Sequence, residues 1–315
     1  MDKRVLKTAS GAAAGAFMTL AGIGAANAAA VLYGVDDASE SIVSINTATG
    51  EVTVVGAINN TVSGARTYEG LAIDSEGNFY VADANSIGAD GSLLNIDPAT
   101  GAETGRADFR LNTISFGFRM SAIAFDDADN LFGVVGGATD DFVSIDEMTA
   151  VYTNIKSLNE AEAGGFSGVT SLTYGPDGLF YGIASQFGGS SNNLVKIDPT
   201  TGDTTVIGNI GVNSTGTQLA FDENGTLFAI TRGADDRILT LDPLTAAVIT
   251  NIALGDGFTQ GEGANPWEIA GLAFDFSTLG EVDPPSDVPL PAAAWLFLAG
   301  IAGVAKASRR KGKKA

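Results

Sequence analysis

Hydrophobic and polar residues alternate in short runs along residues 31–276, and the runs come in groups. One unit reads as four runs, at 168–174, 179–184, 193–198 and 203–207. Each is too short for a helix and has the period of two that a half-buried strand requires. The same four-run pattern recurs at 68–73, 79–82, 93–97 and 102–108, at 120–125, 131–135, 142–146 and 151–156, and at 217–221, 227–231, 238–242 and 248–253.

Between the third and fourth run of each unit stands one turn. Its copies are Asn46-Thr-Ala-Thr-Gly50, Asp97-Pro-Ala-Thr-Gly101, Asp146-Glu-Met-Thr-Ala150, Asp198-Pro-Thr-Thr-Gly202 and Asp242-Pro-Leu-Thr-Ala246, whose starts are 51, 49, 52 and 44 residues apart. Asp or Asn bonds the backbone ahead, Pro presets φ, and Gly supplies a positive φ. Ala150 and Ala246 replace that Gly, so these two hairpins are expected to be looser or differently bulged. A period near 50 residues with strands in every unit means a repeat architecture.

The first run of each unit is nearly a signature: Gly70-Leu-Ala-Ile-Asp74, Ala122-Ile-Ala-Phe-Asp126, Ser171-Leu-Thr-Tyr-Gly175 and Gln218-Leu-Ala-Phe-Asp222. The unit at the start of the repeat region lacks it and opens on Val31-Leu-Tyr-Gly-Val35, a second run. The missing piece lies at the far end, as Gly271-Leu-Ala-Phe-Asp275. Four complete units and one shared between the two ends resemble the β-propeller class, in which a last strand closes the first blade and removes the exposed edges. The expectation is an all-β, five-bladed propeller. A β-solenoid or a sandwich is the rival, and neither has a use for a split unit.

In such meanders the first-to-second and third-to-fourth turns share one face, and they are short here. The second-to-third and unit-to-unit loops share the other and are long and varied, as at 59–67, 109–119, 157–167, 185–191 and 255–266. Function favours varied loops on a rigid frame. The candidate ligand-binding residues are therefore Arg66, Tyr68, Phe118, Arg119, Gln186, Phe187, Arg232 and Trp267. Aromatic rings beside Arg and Gln suit stacking on sugar rings and bonding to their hydroxyls.

Composition narrows the chemistry. The 315 residues include no Cys and no His, which removes disulfides, Cys metal sites, the usual general base and every Ser-His or Cys-His pair. No catalytic motif is present. Sialidase boxes are absent, and no Asp-x-x-Thr-Gly turn continues to the Trp found in repeats that bind pyrroloquinoline quinone. A glycan hydrolase or lyase working by carboxylates alone stays open as the alternative to a non-catalytic role, with no pair singled out.

The net charge is −20. Three bases and one acid lie in residues 1–30 and six bases in 288–315, so the 36 acids and 8 bases between them give −28. Such a surface repels nucleic acid. No cofactor is expected. Ca²⁺ is the one metal that the acidic turns at 126–130 and 222–225 would suit, but both sit where hairpins need Asp, Asn and Gly anyway.

The two ends address the protein. Lys3, Arg4 and Lys7, an apolar run at 12–23 and Ala26-Asn27-Ala28 have the order of a secretory signal peptide, residues 1–28. The propeller is expected over 29–280 and a Pro-rich linker over 281–287. Residues 288–315 carry Val288-Pro289-Leu290-Pro291-Ala292, a 16-residue apolar stretch from Leu290 to Ala305 that is short for a bilayer, and a basic tail. This end resembles the PEP-CTERM class of sorting signals in its VPLPA variant. The resemblance implies export from a Gram-negative bacterium to the envelope or beyond, a transient inner-membrane helix, processing by an exosortase, and company with exopolysaccharide or biofilm systems. The implied partners are that enzyme and an extracellular polysaccharide or envelope protein.

Overall fold

The structure is a computed structural model that describes residues 30–59, 66–84, 91–111, 119–136, 140–158, 166–186, 192–212, 214, 216–232, 236–255 and 267–277. The expected signal peptide, the linker and the 288–315 segment lie outside the described residues. Among those residues no helix is long and apolar enough to cross a membrane.

The repeat folds into five sheets. The first holds β1 (Val31–Asp36), β2 (Ser41–Ile45) and β3 (Val52–Ala57). The next holds β4 (Tyr68–Ile73), β5 (Phe79–Asp83), β6 (Ser92–Ile96) and β7 (Glu103–Asp108). A two-residue strand, β8 (Arg110–Leu111), precedes the third, formed by β9 (Arg119–Phe125), β10 (Leu131–Gly136), β11 (Asp141–Ile145) and β12 (Val151–Ser157). The fourth comprises β13 (Phe166–Tyr174), β14 (Phe180–Gln186), β15 (Asn192–Ile197) and β16 (Thr204–Asn209). The fifth comprises β17 (Gly216–Phe221), β18 (Leu227–Arg232), β19 (Arg237–Leu241) and β20 (Val248–Ala253).

The last strand, β21 (Ile269–Asp275), returns to the first sheet and pairs antiparallel with β1, with Leu32 opposite Phe274 and Gly34 opposite Leu272. The first blade is thus closed by the far end of the repeat region, and the chain is a five-bladed β-propeller. The inner strands β21, β4, β9, β13 and β17 touch in that order and back to β21.

Small residues let them meet at the axis. A Cβ on Gly271 would lie 2.3 Å from the Leu71 amide nitrogen, and one on Gly70 would lie 3.0 Å from that of Ile123. Two hydroxyls of the inner strands bond the neighbouring blade. Ser121 Oγ donates to the Val169 carbonyl at 2.8 Å, and the Leu219 amide donates to Ser171 Oγ at 2.8 Å.

The alternating runs put one hydrophobic set on each face of a blade, so the core divides into five parts, one at each junction. Leu93 and Tyr80 of the second blade meet Met120, Ile123 and Val143 of the third. Trp267, Ile269 and Leu272 meet Ile230 and Ile238 where the fifth blade meets the first.

The repeated turn shows its mechanism in every copy. Asp97 Oδ1 accepts the amides of Ala99 and Thr100, and Asn46 and Asp198 do the same in their own turns. The expected loosening at Ala150 and Ala246 is corrected by the structure. Both adopt the left-handed backbone, with φ of 54° and 61°, and each donates its amide to the carbonyl of the first turn residue at 2.8 Å, as Gly50, Gly101 and Gly202 do. Both alanines are fully buried. The strain of about 1 kcal/mol for L-residues in this region is offset by a buried methyl group worth about 0.8 kcal/mol.

What forbids a side chain at the other copies is the adjacent blade: a Cβ on Gly101 would lie 2.4 Å from the Gly56 carbonyl oxygen. Ala150→Gly should therefore shift stability by less than about 0.5 kcal/mol, whereas Gly101→Ala should cost about 2–4 kcal/mol. Urea unfolding of the two variants measures the contrast.

One element has no counterpart in the sequence pattern. β8 adds itself in parallel to the outer edge of β12, with Arg110 opposite Val151 and Leu111 opposite Tyr152. Two residues carry no periodicity, and this strand exists because that edge is within reach.

Candidate functional site

The five inner strands surround an axis whose two ends, its mouths, are chemically different. The long-loop mouth is built from the strand starts. Glu69 of β4 accepts from Arg119 of β9 at 2.5 Å, joining the second and third blades. Arg232, the last residue of β18, reaches Glu268 at 2.9 Å and Asp37 at 3.7 Å, joining the fifth blade to the first. Asp37 in turn takes the Tyr68 amide at 2.9 Å, and its own amide donates to the Glu268 carbonyl at 3.0 Å. The neighbouring Asp36 accepts the Glu268 amide at 2.6 Å. The loop between β1 and β2 is thereby clasped to three blades at the point where the ring closes.

Two carboxyl groups of this mouth hold their protons more tightly than free ones. Burial pushes Asp37 up, against the lowering effects of the Tyr68 amide and Arg232. Burial also pushes Glu69 up, against its bond to Arg119. A carboxyl raised in the fold contributes most below its unfolded value, and that contribution is lost as pH rises through the folded value. Asp146, held down mainly by the Thr149 hydroxyl, works in the opposite sense. The expected result is that Asp37→Asn and Glu69→Gln flatten the loss of thermal midpoint between about pH 4 and pH 7 relative to the parent. Asn keeps an oxygen for the Tyr68 amide. Parallel melts across that range read the difference.

The residues singled out from sequence have different fates here. Arg119 and Arg232 both stand at the long-loop mouth, and Arg119 is the more open, with its side chain 59% exposed. Arg66 is buried and ion-paired with Asp83 at the end of β5, and Arg106 reaches the same carboxylate at 3.6 Å while bonding Glu103 at 2.7 Å. Tyr68 is buried between the first and second blades, and desolvation pushes its hydroxyl pKa upward. Trp267 is 1% exposed and packs in the junction of the fifth and first blades, its Nε1 donating to the Gly255 carbonyl at 3.4 Å. Arg66, Tyr68 and Trp267 therefore act in the core, where they offer no surface for stacking. Gln186 ends β14, with its side chain outside what is described; Phe118 and Phe187 lie outside the described residues.

The short-turn mouth went unnoticed in the sequence. Here the inner strands end on Phe274-Asp275, Ile73-Asp74, Phe125-Asp126, Tyr174-Gly175 and Phe221-Asp222. They enclose a cavity of about 490 Å³, walled by Leu71, Ile73, Phe125, Leu172, Tyr174, Phe221, Leu272, Phe274 and Phe276. Its rim carries Asp74, Asp126, Asp127, Asp129, Asp222 and Glu223, and no Lys or Arg among the described lining residues. The recurrence of an aromatic or aliphatic residue at the end of all five inner strands, followed by Asp in four of them, was the available signal.

Several rim acids serve their own turns. Asp126 takes the amides of Ala128 and Asn130 and the Asn130 side-chain amide, and Asp222 takes those of Asn224 and Thr226. Among the described residues no three acidic side chains converge as a metal set would.

The sequence comparison agrees with the repeat. A family profile described as "Repeat of unknown function (DUF6923)" matches residues 8–176, just over half of the chain. The chain belongs to the DUF6923 repeat family. No curated protein matches it.

Solved structures similar to this DUF6923 chain share little sequence. A protein of unknown function from Bacteroides caccae is 12% identical, with 71% of this chain and 73% of that one covered and a TM-score of 0.44. A chain of a nidogen/laminin complex is 10% identical, over 79% and 99%, with a TM-score of 0.49. The pyrroloquinoline quinone-bound aldose sugar dehydrogenase of Streptomyces coelicolor is 16% identical, over 68% and 73%, with a TM-score of 0.38. No activity is inferred from these likenesses.

Proposed function

We propose that this chain is an exported, non-catalytic binding or structural propeller, sorted through residues 288–315 as a VPLPA-type substrate of an exosortase. In this reading residues 1–28 direct export and 281–287 form the linker. The protein works in the cell envelope or outside it, in an exopolysaccharide or biofilm matrix. The observation that carries the reading is where the ring begins and ends. Val31 lies opposite Asp275, so both ends of the propeller leave from the short-turn face. A C-terminal tether attached there turns the long-loop face outward.

On that face Arg119 and Arg232 supply donors on an otherwise strongly acidic chain. Their guanidinium groups suit the hydroxyl and carboxylate groups of a polysaccharide. Screening the protein on a glycan array, followed by product analysis for each hit, tests the reading. Retained glycans without turnover, lost in Arg119→Ala, support it, and an array without hits removes the glycan. Intact mass of the mature protein tests the sorting, because an uncleaved Lys314 opposes exosortase processing.

A second reading, a glycan hydrolase or lyase, is favoured by Asp37 and Glu69, two proton-holding carboxyl groups beside Arg232 and Arg119. Turnover that disappears in Glu69→Gln would establish it.

A further inference from the structure

The axial cavity on the short-turn face lies opposite the surface invoked for glycan binding, and what fits it does not depend on that reading. Its size, about 490 Å³, is within the range of small-molecule sites. Its walls and its rim ask for different things. Phe125, Tyr174, Phe221 and Phe274 give it an aromatic interior. Aromatic rings bury apolar groups well, and their faces attract cations. The rim adds Asp127, Asp222 and Glu223 without a basic residue among the described lining residues.

An anion would meet this rim and a central region, residues 31–287, carrying −28. A bare divalent ion would have to exchange its water for aromatic walls, and the carboxylates do not converge upon it. A neutral apolar molecule would fill the walls and gain nothing from the rim. An organic cation satisfies both. We propose that the cavity binds a small organic cation, an ammonium group carried on a short apolar body, with the body against the aromatic walls and the charge at the carboxylate rim.

The test uses the purified full-length chain and three probes with the same apolar body: n-butyltrimethylammonium, butanesulfonate and butanol, at fixed ionic strength. Calorimetry gives the affinity, and methyl NMR shifts of Leu71, Leu172 and Leu272 give the place. The expected result is saturable, single-site binding of the ammonium with a Kd on the order of 0.1–1 mM. Shifts should fall on those leucines, and the other two probes should bind at least tenfold more weakly.

Asp127→Asn/Asp222→Asn/Glu223→Gln should weaken the ammonium at least fivefold with an unchanged thermal midpoint, since Asn46 shows that Asn holds a turn of this protein as Asp does. Phe221→Leu, which keeps the wall apolar, should weaken it through loss of the ring face. The proposal is overturned by an absence of saturation up to 10 mM, by equal binding of the sulfonate or the alcohol, by shifts spread over the acidic surface, or by rim variants that bind as the parent does.

Discussion

Gly271→Val is expected to leave the chain without a closed ring. The glycine lies on β21 where it crosses β4, and even a methyl group there would stand 2.3 Å from the Leu71 amide nitrogen and 2.5 Å from the Gly70 carbonyl carbon. Those are backbone atoms, so no side chain can swing aside, and one inner strand must move outward by about an ångström. That movement would also part β21 from β1, where Gly271 faces Val35. Overpacking of this kind costs about 1–3 kcal/mol for a small insertion. A β-branched residue at the junction that joins the two ends of the ring should exceed it.

The measurement is chemical unfolding followed by circular dichroism, with limited proteolysis near residue 269 as a second readout. Gly216→Ala is the control: it is also on an inner strand, but its nearest neighbour would be the flexible Arg232 side chain at 3.5 Å. Its effect should stay within about 0.5 kcal/mol. Equal stability of Gly271→Val and Gly216→Ala would contradict the closure described above.

Arg66→Ala should destabilise the protein by about 3–5 kcal/mol, because it leaves the fully buried Asp83 carboxylate without its closest cation. Arg106 stays 3.6 Å away, but its better bonds run to Glu103. Removing both charges, as Arg66→Met with Asp83→Leu, should recover most of the loss, since a buried pair is often replaceable by apolar residues of similar volume. A double-mutant cycle in urea reads the coupling. If Arg66 instead stood free for ligand contact, its replacement would leave stability nearly unchanged.

These two cases mark what could be read from the chain. The ring closure was legible because a split unit leaves a trace: Val31-Leu-Tyr-Gly-Val35 lacks an inner strand and Gly271-Leu-Ala-Phe-Asp275 lacks everything else. Both runs alternate, and alternation survives whatever the tertiary surroundings do. The turns were legible for the same reason, since Asp97 and Asp198 bond amides two and three residues ahead. The burial of Arg66 and Trp267 was not legible because they stand in irregular stretches, where no periodicity says which way a side chain points. The partner of Arg66, Asp83, is 17 residues away on another element, and nothing in the spacing links them. The aromatic cavity was missed although every wall residue but Phe276 sat in a recognised signature, because five segments about 50 residues apart form a pocket only once they share an axis.

By itself the sequence determined strand length and turn position, which are set by interactions within a few residues, and, through the repeat and its split unit, the count of five units and the shared first blade. The tertiary structure decided which charges are buried, which end of the axis has apolar walls, and that Ala150 and Ala246 can hold a glycine's conformation. Those outcomes depend on distances between neighbouring blades, and a blade meets its neighbour only when the whole circle has closed.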